Sequence, residues 1–259
     1  MTNLRVSIVQ SDLIWEDVSA NLSHHYELIK NLKGKTDLIV LPEMFTTGFS
    51  LQVKQLAQTM NSKTIDWLTQ TARELNVAIS GSVIIQENDN FYNRHFFVHP
   101  DQKINYYDKR HLFRMGDEHK RFTAGSKQVI VNYKNWRINL LTCYDLRFPV
   151  WSRNRNNYDL AIYVANWPDS RKFVWNTLLS ARAIENQIYV IGVNRVGIDG
   201  MNLNYSGNSK IIHPKGHAIS EIEEYKQNVI TTKILKSELE DFRKAFPVLL
   251  DSDRFEIEY

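Results

Sequence analysis

The 259-residue chain holds one cysteine, six prolines and ten glycines, and no apolar stretch long enough to cross a bilayer. Cys143 on its own excludes an intramolecular disulfide and any metal centre that needs two thiolates from one chain. A lone thiol suits a reducing compartment. The opening MTNLRVSIVQSDLIW is broken by Arg5 and Asp12, so it reads as neither a secretory signal nor an anchor. The expected location is cytoplasmic, with no membrane partner. An excess of one charge is also missing: 32 Lys and Arg against 29 Asp and Glu leave +3, interspersed along the chain. That excludes a nucleic-acid footprint and leaves small anionic ligands open. With no short repeat, low-complexity run or Pro/Gly-rich linker, one domain over 1–259 is expected.

What is present is ordinary for a soluble globular protein: 43% apolar and 24% charged residues. Residues 4–9 read as a buried strand, and Leu22, Tyr26, Ile29 and Leu32 follow at helical spacing. A second apolar run over 37–41 stops at Pro42, and Ile65, Leu68, Ala72 and Leu75 mark the next helix. Strands over 77–85, 91–98 and 103–107 then join through polar turns. After a long polar loop from Arg110 to Lys127 the rhythm returns. Strands are expected at 128–133, 136–142, 159–164, 187–194, 207–213, 217–222 and 227–233, with helices after Arg147 and over 171–185 and 235–245. The fold class is α/β, and the second half echoes the first. The tail 247–259, with alternating Phe255, Ile257 and Tyr259, reads as an extended segment laid against this subunit or another.

Three reactive side chains fall at strand ends: Glu43 after LIVLP, Lys109 after INYYD and Cys143 after INLLT. Ligands of α/β sheets collect at such ends. An acid, an amine and a thiol supply a base, a cation and a nucleophile, the minimum for acyl transfer through a thioester. Moving a proton from a free thiol to a free glutamate is uphill by roughly 6 kcal/mol. An ammonium near the thiol and burial of the acid would narrow that gap. Each residue alone has a plainer reading. A lone cysteine at a strand end is commonly a small core residue, Glu43 could cap a turn, and Lys109 beside Arg110 could belong to a solvated face.

The flanking residues add to this. Leu41–Glu43, Asp108–Phe113 (DKRHLF) and Cys143–Pro149 (CYDLRFP) resemble, in order and spacing, the three signature segments of the nitrilase, or carbon-nitrogen hydrolase, superfamily. The resemblance spans residues 4 to about 235 and implies an α-β-β-α sandwich with a Glu43–Lys109–Cys143 triad. The segments ANWP at 165–168 and SARAIENQIYVIGVNRVG from Ser180 look most like the omega-amidase branch, whose substrates include 2-oxoglutaramate. Family members often carry a second glutamate in the loop after the lysine. Glu118 is the candidate, with Asp117 beside it, and the competing reading makes Glu118 a surface acid paired with Lys120 or Arg121.

The implied reaction is hydrolysis of the amide of a small, anionic substrate to carboxylate and ammonia, without cofactor or metal. Cys143 would attack, Glu43 would shuttle protons, and Lys109 with the backbone N–H of Tyr144 would hold the oxyanion. Related amidase, N-carbamoyl hydrolase or nitrilase activity stays open, as does a binding module with a vestigial site. Phe45 and Trp167 follow strand ends and are expected in a pocket wall or in the core, Phe148 in the core. Arg171, or the basic residues Arg110, Arg114, Lys120 and Arg121, could pair a substrate carboxylate. The family resemblance also implies a homodimer. His95 and His99 lie too far apart along a strand to share a metal, and the turn around Pro214 and Gly216 denies His213 and His217 helical spacing.

Overall fold

The computed structural model describes residues 3–258. In chain order they form β1 (Asn3–Gln10), α1 (Val18–Ile29), β2 (Leu38–Val40), α2 (Val53–Leu56), α3 (Lys63–Leu75), β3 (Ala78–Glu87), β4 (Asn90–Val98) and β5 (Ile104–Asp108). The second half contributes β6 (Ile130–Tyr133), β7 (Trp136–Thr142), β8 (Leu160–Ala165), α4 (Lys172–Asn186), β9 (Tyr189–Asn194), β10 (Val196–Ile198) and β11 (Asn204–Ser206). β12 (Lys210–Ile212), β13 (Ala218–Glu221), β14 (Asn228–Leu235) and α5 (Lys236–Ala245) complete it.

Two six-stranded sheets have the orders β14-β1-β2-β3-β4-β5 and β13-β12-β9-β8-β7-β6. In the first, β1, β2 and β3 run parallel between antiparallel neighbours. In the second, β7, β8 and β9 do the same. The echo expected between the two halves is therefore one sheet plan used twice.

The alternation within each strand decides what packs where. Leu4, Val6 and Ile8 of β1 and Leu38 and Val40 of β2 join the core shared with the second sheet. Val9, Ile39 and Leu41 point the other way and pack on Leu22 and Ile29 of α1 and Leu68, Ala72 and Leu75 of α3. Strands buried on both faces read as continuous apolar runs, as LIV of β2 does. On the second sheet, α4 lies so close to β9 that a methyl group on Gly192 would sit 2.5 Å from Leu179 and 2.9 Å from Trp175. His95 crosses between the sheets, its Nδ1–H donating to the carbonyl of Leu141 at 3.0 Å. Burial lowers its pKa to about 3, which keeps it neutral.

Some expectations fail. The helix placed after Arg147 is instead a one-turn 3-10 helix over Cys143–Arg147, because Pro149 and a turn follow at once. The short α2 and the β10–β11 ribbon gave no periodic signal. The loop 110–127 holds two single turns of 3-10 helix, at Arg114–Gly116 and Glu118–Lys120. The tail makes a 3-10 turn at Val248–Asp251 and then lies on its own subunit. Ile257 packs on the main core and Phe255 sits 4.5 Å from the Arg155 guanidinium. Tyr259 lies outside the described residues.

Candidate active site

Glu43 and Lys109 leave the first sheet after β2 and β5, and Cys143 leaves the second after β7, so the packed sheets bring the three together. Cys143 holds φ +44°, a left-handed conformation that is costly for a residue with a side chain. Asp145 secures that turn: its Oδ2 accepts from the N–H of Thr142 at 2.9 Å and from the Tyr107 hydroxyl at 2.8 Å. Its Oδ1 accepts from His111 N and Nδ1 at 3.0 and 2.8 Å. One carboxylate thus ties the cysteine turn to both sides of Lys109.

Lys109, Glu43 and Glu118 are fully buried. The Lys109 Nζ donates to Glu43 Oε1 at 2.9 Å and to both Glu118 oxygens at 3.0 Å. Glu43 Oε2 accepts from the N–H of Asn166 at 2.8 Å, and its backbone carbonyl accepts from Asn166 Nδ2 at 2.6 Å. Glu118 Oε2 also accepts from the N–H of Phe113 at 2.6 Å. Of the two acids in the loop, Glu118 is therefore the one at the lysine. Asp117 is exposed and pairs with Lys120 at 2.9 Å.

The charges decide the resting state. Burial works against the Lys109 ammonium, but Glu118 and Glu43 outweigh it and hold its pKa above the ordinary value. Burial, with the negative charge of Glu43, pushes the Cys143 thiol well above its usual pKa against the pull of Lys109. Glu118 is likewise raised, by burial first and by Glu43 after it, with Lys109 opposing. Lys109 faces two carboxylates rather than one. The thiolate-favouring effect expected of Lys109 is overridden by burial and by the charge of Glu43, which keep the Cys143 thiol above its usual pKa.

Cys143 opens into a cleft. Its walls include Phe49, Phe113, Tyr144, Trp167, Leu203 and Tyr205, and Arg147 and Arg171 supply cationic groups. Trp167 and Arg171 lie where expected, linked by Trp167 Nε1–H donating to the carbonyl of Arg171 at 2.9 Å. The Arg171 guanidinium lies 5.2 Å from the Phe113 ring and that of Arg147 5.3 Å from Trp167. Among the described residues neither has a carboxylate partner.

Phe45 does not reach this wall. The tight turn after Glu43 aims it into the core on the helix side of the first sheet, against Trp67 and His25, and Phe49 takes the wall position four residues on. Arg110, Arg114, Lys120 and Arg121 do not line the cleft either; Arg110 donates to the Gly125 carbonyl at 3.2 Å. Phe148 is half-buried and stacks on His111 at 3.7 Å. The sequence reading missed Arg147 and Asn166, although CYDLRFP and ANWP contain them.

A base, an ammonium and a thiol grouped beside one cleft equip a protein for nucleophilic acyl transfer. A profile of the carbon-nitrogen hydrolase family matches residues 5–244. The chain is 45% identical to the omega-amidase YafV of Escherichia coli K12, over 99% of this chain and 100% of the relative. It is 33% identical to a 2-oxoglutaramate amidase of Bacillus subtilis, over 95% and 96%. The crystal structure of XC1258 from Xanthomonas campestris, a CN-hydrolase superfamily protein with an arsenic adduct in its active site, matches with a TM-score of 0.98. That match has 43% identity over all of both chains. The chain belongs to the carbon-nitrogen hydrolase family.

Proposed function

We propose that this protein is an omega-amidase that hydrolyses the terminal amide of a small anionic substrate, of the 2-oxoglutaramate type, to carboxylate and ammonia. The observation that carries the reading is the convergence of Lys109 and Cys143 at the cleft, with Glu43 buried against Lys109. The names of the full-length relatives support it. Burial and Glu43 hold the thiol above its usual pKa, and its proton passes to Glu43 as Sγ bonds to the amide carbon. Lys109 and the N–H of Tyr144, in the first turn of the 3-10 helix, hold the oxyanion. Glu43 returns the proton to the departing ammonia, leaving a Cys143 thioester. It then takes a proton from the water that attacks the thioester and passes it to the Cys143 sulfur as the C–S bond breaks and the acid is released. Glu118 holds Lys109 in place throughout.

The two guanidiniums without carboxylate partners support an anionic substrate. An omega-amide acid is expected to exceed its methyl ester in kcat/KM by roughly 10-fold to 150-fold, the worth of a charge-assisted hydrogen bond of about 1.5–3 kcal/mol. A screened surface pair would contribute only about 0–1 kcal/mol. Equal kcat/KM for acid, ester and unsubstituted amide would remove the anionic-substrate claim and leave the amidase reading standing.

The reading includes a homodimer in the cytoplasm. Val150, Ile184, Phe246 and Leu250 are exposed apolar side chains on α4 and the segments around it, and symmetric pairing is the commonest way to cover such a surface. Light scattering at micromolar concentration should give twice the chain mass, and a monomer mass would refute the dimer. Cell fractionation checks the compartment.

A further inference from the structure

We propose that Asn93 is a positioning residue for this chemistry: one side-chain amide sets the distance between Glu43 and Glu118 around Lys109. The inference rests on the triad reading above. Asn93 lies in β4 and is 1% exposed. Its Nδ2 donates to Glu43 Oε1 at 2.7 Å and lies 3.3 Å from Glu118 Oε1. Its backbone carbonyl accepts from the N–H of Lys109 at 3.0 Å, extending the β4–β5 ladder one residue past Asp108. The same residue therefore places the lysine through its main chain and the lysine's two carboxylates through its side chain.

The other end of the amide supports this role. Asn93 Oδ1 is buried without a hydrogen-bond partner among the described residues. A buried orphan acceptor costs stability, so the amide is an expensive choice for filling this space. Turning it over would aim Oδ1 at two carboxylates, so the donor end must face them. Two carboxylates this close share a proton readily unless donors hold them charged. The titratable groups facing Glu43 are Lys109 from the end of β5, Glu118 from the following loop and Cys143 from the end of β7. The backbone N–H groups of Asn166 and Phe113 each serve one carboxylate, whereas Lys109 and Asn93 reach both.

The test uses Asn93→Leu, an apolar near-isostere without a donor, and Asn93→Ser, which cannot overpack. Two pH profiles are measured: kcat/KM on an omega-amide acid, and the rate at which iodoacetamide alkylates Cys143 in the absence of substrate. We expect kcat to fall about 10-fold to 100-fold with KM changed less than about threefold, because the lost donor served a charged group and not the substrate. The acid limb of both profiles should move up by about one pH unit, since a proton then settles on the carboxylates more easily. Melting temperatures should stay near the wild-type value. Unmoved acid limbs in a folded variant would overturn the proposal, and so would failure of both variants to fold, which would assign Asn93 to the scaffold. The alkylation profile needs no amide substrate, so it decides the role of Asn93 even if omega-amides prove not to be turned over.

Discussion

Cys143→Ala should show no ammonia release above background while melting close to the wild-type temperature. The loss expected for removing a nucleophile is on the order of 10⁶-fold in kcat. The fold should survive because the thiol contributes little to it: its Sγ makes a long contact of 4.0 Å to the Asn166 carbonyl. Alanine meets the same backbone cost as cysteine at φ +44°, and the Asp145 contacts that hold the turn remain. Rapid quenching of wild-type protein with substrate should trap an acyl group on Cys143, seen as a mass increase absent from the variant. Turnover retained by the alanine variant, or acylation at another residue, would remove Cys143 from the mechanism.

Lys109→Met should lose at least 100-fold to 1,000-fold in kcat, the usual cost of deleting an oxyanion donor. It should also alter stability in a way that a surface lysine would not. Methionine keeps the volume but leaves Glu43 and Glu118 buried without their cation, and breaking a buried ion pair costs about 3–5 kcal/mol. The variant will reduce that cost by binding a proton, so its carboxylates titrate in the folded state above their unfolded value near 4.3. A raised folded pKa gives stability that is present in acid and lost as pH rises through it. The deficit in melting temperature relative to wild type should therefore be small near pH 5 and large at pH 8. Near-normal kcat, or a deficit independent of pH, would contradict the charge balance assigned to this cluster.

Glu43, Lys109 and Cys143 were legible from sequence because each ends a strand-like segment and lies within a flanking motif, LPE, DKRHLF or CYDLRFP, where alone each had a plainer reading. Glu118 was legible only as one of two neighbouring acids. Its selection over Asp117 depends on the left-handed turn at Asp117, which sends successive side chains to solvent and to Lys109. Phe45 was misplaced for a related reason: the chain turns sharply at Met44, φ +43°, and strand alternation cannot be carried across such a turn. Arg147 was overlooked because its importance lies in what it lacks, a carboxylate partner, and partners are a tertiary property. Asn93 gave no local signal at all. An asparagine inside a strand pattern looks like a polar face, and only the docking of β5 and its loop shows what it holds.

Glu43 and Lys109 hang from one sheet while Cys143 and Asn166 hang from the other. Hydrolysis therefore registers the alignment of two leaves held together by side-chain packing and crossing hydrogen bonds, such as His95 to Leu141 and Tyr107 to Asp145. A slip of about 1 Å between reacting groups can cost roughly 100-fold in rate. Turnover in this protein is thus a gauge of how the leaves are clasped, and it will fall before either sheet has lost a single rung of its ladder.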